Sequence, residues 1–293
     1  MGPSNTITFS AEHLSHQGFL TAMERDLLAG DAHFPTGLKL LAALRRVLDD
    51  PNASIAQVTK LAGAEPLVTA QILRLANCAT FNPGGREILS VDKAIQRVGF
   101  NMVRTAATAV AVAQMRALVG APHFNAMADA AWQRSVQLSV LARMLAPGYG
   151  AVMPDEAALC GLVSDLGTFY LLQRASHDPR YSLPSEEAVL RNLLDLHAPQ
   201  VTARLVQILD MPADIVAVLS AWHQSREVAE RAQALMACML HADALMPGVF
   251  DRSPHSADVP DTTAFAPMTA EQVDELVQRA TAAFDDLLEA LDG

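Results

Sequence analysis

The chain has little of what builds disulfide frameworks, sheets or membrane spans. Its 293 residues include only three cysteines, Cys78, Cys160 and Cys238, an odd number with no CxxC or CxxxC pair. That excludes a disulfide framework and a cysteine-based zinc site, and it points to reduced, mostly buried thiols in a reducing compartment. Aromatic residues make up only 5%. No alternating apolar run bounded by turn residues occurs, so no sheet is expected. No uncharged apolar stretch reaches the roughly 18 residues of a membrane-spanning helix, and the start lacks a basic-then-apolar leader. The expectation is a cytoplasmic protein without membrane association. GxSxG, Walker-type and GxGxxG motifs are also missing, which removes the common nucleophile-elbow, P-loop and dinucleotide-binding readings. Cys160 sits in an apolar stretch without an activating partner set and reads as a core thiol.

What is present is alanine and aliphatic side chains. Apolar residues make up 51% of the chain, enough for a sizeable core of closely packed helices. The net charge of −11 is uneven: ten acids and two bases after residue 250 give −8, leaving −3 for residues 1–250. Neither part carries the basic footprint of a nucleic-acid binder. Residues 54–77 have the outline of a helix-turn-helix, but the second helix offers one base, Arg74, and a packed helical pair is the better reading.

The pattern along the chain predicts an all-α protein. Residues 1–20 are polar and aperiodic, a flexible arm. Leu38, Leu41, Leu44, Val47 and Leu48 form the stripe of a first helix. Ser54 and Gln57 make a capping box for a helix to Leu61, Gly63 closes it, and Pro66 opens the next. Asn77 to Gly85 is a loop. Ser90 caps a helix that Gly99 interrupts, and a long helix follows from Met102 to Val119. Gly120-Ala121-Pro122 reads as a joint between two lobes, 21–120 and 121–246. In the second lobe, helices are expected over Trp132–Ala146, Pro154–Leu172, Ser185–Leu196, Ala198–Leu209, Ala213–His223 and Glu227–Leu245. Residues 247–268 form a linker rich in Pro, Ser, Thr and Asp. Residues 269–293 form an acidic amphipathic helix that either folds back on the body or makes a homodimer.

The segment Cys160 to Leu172 organises the second lobe. It places one acid, Asp165, in the middle of an apolar helix. A carboxylate there must be paired, hydrogen-bonded, metal-bound or protonated. Gly161 and Gly167 flank it and allow close backbone approach.

The blocks FPTGLKLLAALRRVLDDPNAS (34–54), EPLVTAQILRLANCATF (65–81) and ILSVDKAIQRVGFNMVR (88–104) resemble the HDOD family, a branch of the HD phosphohydrolase superfamily in bacterial signalling proteins. AWQRSVQLSVLARMLA (131–146), EAALCGLVSDLG (156–167), the segment 196–225 and HADAL (241–245) resemble its HD-like lobe. The resemblance covers Phe34 to Leu245, with Glu65-Pro66 and Asn77-Cys78 where the family usually has Asp-Pro and Asn-Ser. In catalytic HD enzymes, histidines and a His-Asp pair hold divalent metals that activate a water. Carried over residue by residue, the first histidine falls at Arg134, and the His-Asp pair reads Ser164-Asp165. His197 is retained, the later His-His pair reads Trp222-His223, and Asp243 matches the closing Asp. An arginine puts a fixed cation at a ligand position, and serine is a poor ligand for such metals.

The resemblance therefore implies a protein that is not an enzyme and needs no cofactor or metal, with Arg134 and Asp165 paired in an internal salt bridge. It would work by binding another signalling protein, with a two-component or cyclic-dinucleotide pathway as the setting that the resemblance suggests. The alternatives are a metal-dependent phosphohydrolase with a reduced ligand set and a nucleotide sensor in which Arg134 meets a phosphate. The literal His177-Asp178 pair reads as a surface turn before Pro179. His241 and Asp243 are two apart and do not share a helix face.

Overall fold

The computed structural model describes residues 41–246, except 42, 45, 49, 51, 79–80, 178–182, 185, 223–227 and 229, together with residues 275, 279, 280 and 284. The expected arm, linker and most of the last helix lie outside the described residues. All regular structure among the described residues is helical, as the composition implies.

Helical residues between 41 and 48 bury Leu41, Leu44 and Leu48, the predicted stripe. Helix α1, Ile55–Ala62, opens on the capping box: the Gln57 amide donates to Ser54 Oγ, and Gln57 Oε1 accepts from the Ser54 amide. Helix α2, Pro66–Asn77, starts with Pro66 in its first turn and lies along α3, Val91–Ala117. Its buried face is Val68, Gln71, Ile72 and Ala76, a packed pair as expected. Gly99 has φ 81° and ψ 164° inside α3, backbone that only glycine adopts readily, and it kinks the helix where the sequence predicts a break. Ser90 occupies the N-cap of α3, but its side chain makes no cap hydrogen bond to the helix.

Helix α4, Pro122–Leu145, begins ten residues ahead of the predicted Trp132, directly at the presumed joint. Pro122 is tolerated in the first turn, and Phe124, Met127, Ala128 and Ala131 extend the apolar face back to it. A 3₁₀ turn over Ala146–Tyr149 leads to α5, Pro154–Leu162. Then come α6, Leu166–His177; α7, Glu187–Ile208; α8, Ala213–Ala221; and α9, Glu230–Leu245. The single helix α7 replaces the two predicted on either side of residue 197; Pro199 sits inside it.

The buried side chains form one cluster that runs from Leu41 through Trp132, Phe169 and Tyr170 to Cys238 and includes Ala280. Phe284 packs against the same cluster. No helix among the described residues is long and apolar enough to cross a membrane.

Candidate functional site

The expected helix from Pro154 to Leu172 is broken at Val163, Ser164 and Asp165, so Asp165 lies in a turn, not within a helix. Local bonds explain the break. Ser164 Oγ donates to the Gly161 carbonyl at 2.8 Å, a side-chain bond that competes with the helix ladder. The Asp165 carbonyl accepts from Thr168 and Phe169 and starts α6. Thr202 on α7 then clamps the turn: its hydroxyl donates to the Ser164 carbonyl at 3.3 Å and accepts from the Gly167 amide at 2.8 Å.

Two glycines bring the turn against its neighbours. A Cβ on Gly161 would stand 2.6 Å from the Ser139 amide nitrogen, so α5 touches the backbone of α4. A Cβ on Gly167 would stand 2.0 Å from the Ala198 carbonyl oxygen and 2.8 Å from the Thr202 nitrogen, so α6 touches α7. The close approach expected of both glycines is present at both.

This packing aims the Asp165 carboxylate at α4. Arg134 Nη1 donates to Asp165 Oδ2 at 3.0 Å, and Arg134 Nη2 donates to Asp243 Oδ1 of α9 at 2.5 Å. Ser135 Oγ lies 3.4 Å from the same Asp165 oxygen. The side chains of Arg134, Asp165 and Asp243 are 9%, 5% and 7% exposed. Two helices, α4 and α9, and the turn between α5 and α6 thus meet on one guanidinium. Burial alone would lower its pKa, but the charges and hydrogen bonds of Asp165 and Asp243 outweigh burial and hold it above the ordinary arginine value. The expected pairing of Arg134 with Asp165 is present. Asp243 joins it as a second partner, and Ser135 as a neighbour; neither role is readable from a single sequence.

Ser164 turns away from the ion pairs toward Gly161. Trp222 is buried, 6% exposed, as the C-cap of α8. His197 is half-buried on α7, next to the residue whose carbonyl meets Gly167. His223 lies outside the described residues, as does Asp178 of the His177-Asp178 pair; His177 is exposed and ends α6. His241 faces away from Asp243 and bonds through Nδ1 to the Tyr149 hydroxyl at 2.7 Å. Burial pushes the His241 pKa down and the Tyr149 pKa up. Cys160 is fully buried and its thiol is pushed well up by burial; Cys238 is pushed up to about 12. Cys78 is only partly buried, because α2 ends there and the chain turns out into the loop.

A divalent cation here would have to share both carboxylates with a guanidinium that keeps its proton. Arg134, Asp165 and Asp243 therefore do not fit a metal centre. Their geometry suits a rigid internal tie.

Solved structures share the fold. A Geobacter sulfurreducens HDOD domain protein of unknown function aligns with TM-score 0.62 at 17% identity, over 94% of this chain and 98% of its own. A Shewanella amazonensis protein, provisionally named a metal-dependent phosphohydrolase, aligns with TM-score 0.60 at 19% identity, over 91% and 99%. A Marinobacter aquaeolei protein, provisionally named a signal transduction protein, aligns with TM-score 0.51 at 19% identity, over 89% of this chain and 57% of its own. No curated protein matches the chain. The HDOD domain pattern matches residues 34–241, most of the sequence, and includes Arg134 and Asp165 while ending two residues before Asp243. On that match, with the helical fold to go with it, the chain belongs to the HDOD domain family.

Proposed function

We propose that this chain is a non-catalytic regulatory protein of bacterial signalling, cytoplasmic, which acts by binding another protein. The observation that carries the reading is Arg134, bonded to Asp165 and Asp243 at the positions where a catalytic relative would hold its metal. A phosphohydrolase needs an ion that polarises phosphate and activates water; here two of the candidate carboxylates are committed to a side-chain cation. The same commitment weighs against a nucleotide sensor, since the Arg134 donors that a phosphate would use are bonded inside the protein. The provisional name of the Shewanella amazonensis neighbour keeps hydrolysis as the reading to beat. The test is hydrolysis of bis(p-nitrophenyl) phosphate and of cyclic dinucleotides with added manganese or iron. No turnover above the metal blank is expected. Turnover that disappears in Asp165→Ala would overturn the proposal.

A further inference from the structure

Residues 86–90, between the loop and α3, form an extended segment with one occupied edge. The Asn77 side-chain amide receives the Ile88 N–H on Oδ1 at 2.7 Å and donates from Nδ2 to the Ile88 carbonyl at 2.8 Å. An N–H and a C=O of one residue point at the same partner only in extended backbone, because in a helix they point opposite ways. Two residues earlier, the Arg86 carbonyl accepts from Asn82 Nδ2 at 2.8 Å. The repeat of two is that of a strand, and Ser90 continues it with φ −111° and ψ 135°. Two asparagine side chains therefore stand where a neighbouring strand would be.

The opposite edge belongs to Glu87 and Leu89. Among the described residues, their backbone groups make no hydrogen bond. The side chains alternate too: Ile88 packs on the core, while Leu89 is 77% exposed. A cavity of about 410 Å³ adjoins the segment, lined by Leu73, Arg74, Glu87 and Leu89 among others. Open edges of this kind accept a further strand, with main-chain bonds for affinity and side-chain pockets for selection. The surface around it is basic in an acidic chain. Arg86, Lys93 and Arg97 are exposed within and just after the segment, against Glu87 and Asp92, whereas the whole chain carries −11.

We infer that the 87–89 edge is a docking site for an extended, acidic peptide segment of a partner protein, which pairs as a strand with Glu87 and Leu89 and sets an apolar side chain beside Leu89. The inference rests on the reading of the chain as a protein-binding module and gives that reading a place and a partner chemistry.

The test is selection of a displayed random dodecamer library on the full chain, followed by synthesis of the enriched peptides. Enrichment of acidic sequences with alternating apolar residues is expected. Their binding should shift the Glu87 and Leu89 amide resonances and weaken with salt. Leu89→Pro removes one donor at the edge and suits the extended Ile88 before it; it should weaken binding roughly tenfold or more. N-methylation of alternate peptide amides should do the same in one register and nothing in the other, a control that leaves the protein unaltered. Selected peptides that shift other amides, or that bind the N-methylated and parent forms equally in both registers, would overturn the edge while leaving the protein-binding reading intact. No enrichment would overturn the edge as well. Self-association of the chain that Leu89→Pro abolishes would assign the edge to a second copy and overturn the peptide assignment.

Discussion

Arg134→Ala removes the cation that Asp165 and Asp243 share. The guanidinium lies 3.0 Å and 2.5 Å from the two carboxylates, and all three side chains are nine-tenths buried or more. At an effective dielectric near 20, unit charges about 4 Å apart attract by about 4 kcal/mol. Removing one partner from a buried pair costs about 3–5 kcal/mol, because the charge left behind stays desolvated. Two carboxylates depend on this one cation, so a loss of about 5 kcal/mol is expected, against a typical net stability of about 5–15 kcal/mol. Urea unfolding followed by circular dichroism at pH 7 measures it. The loss should change little in high salt, since buried pairs are poorly screened. Much of it should return in Arg134→Met/Asp165→Asn/Asp243→Asn, which neutralises the site as a whole. An Arg134→Ala protein within about 1 kcal/mol of the parent would refute the reasoning, since that is the scale of a surface ion pair.

Gly167→Ala should destabilise by about 3 kcal/mol or abolish folding, because the Ala198 carbonyl that its Cβ meets is backbone and cannot rotate away; thermal unfolding measures it. Of the three thiols, only the partly buried Cys78 should react quickly with a disulfide reagent in the native protein, with Cys160 and Cys238 appearing on denaturation. His241 has a folded pKa below its unfolded value of about 6.5. The unfolded chain therefore binds the proton first, and stability should fall as pH drops from neutrality through that value toward the lower folded pKa. His241→Gln should flatten that slope in unfolding curves taken between the two.

The helical class was legible because several independent cues agreed: apolar stripes, the Ser54–Gln57 box, Pro66 in a first turn and Gly99 as a break. Boundaries failed where tertiary contacts decide. The helix expected from Trp132 begins at Pro122, because Phe124, Met127 and Ala128 are buried there as well. The break expected at residue 197 does not occur, and Pro199 is tolerated inside α7, which Gly167 and Leu205 hold against the core. Asp165 looked helical because its neighbours have helical spacing; the turn is made by Ser164 and by Thr202, thirty-eight residues away from Ser164. The Arg134–Asp165 tie was readable only through the family pattern, since no local spacing links residues thirty-one apart. Asp243 as its second partner, and Asn77 as the clip on Ile88, needed the fold.

The most direct test of the central claim is the metal content of the full chain, purified without chelator or metal-affinity resin and then incubated with manganese or iron. The tie of Arg134 to Asp165 and Asp243 predicts no stoichiometric metal before or after incubation. One ion per chain, lost in Asp165→Ala, would mean that these carboxylates serve a metal and would contradict the account.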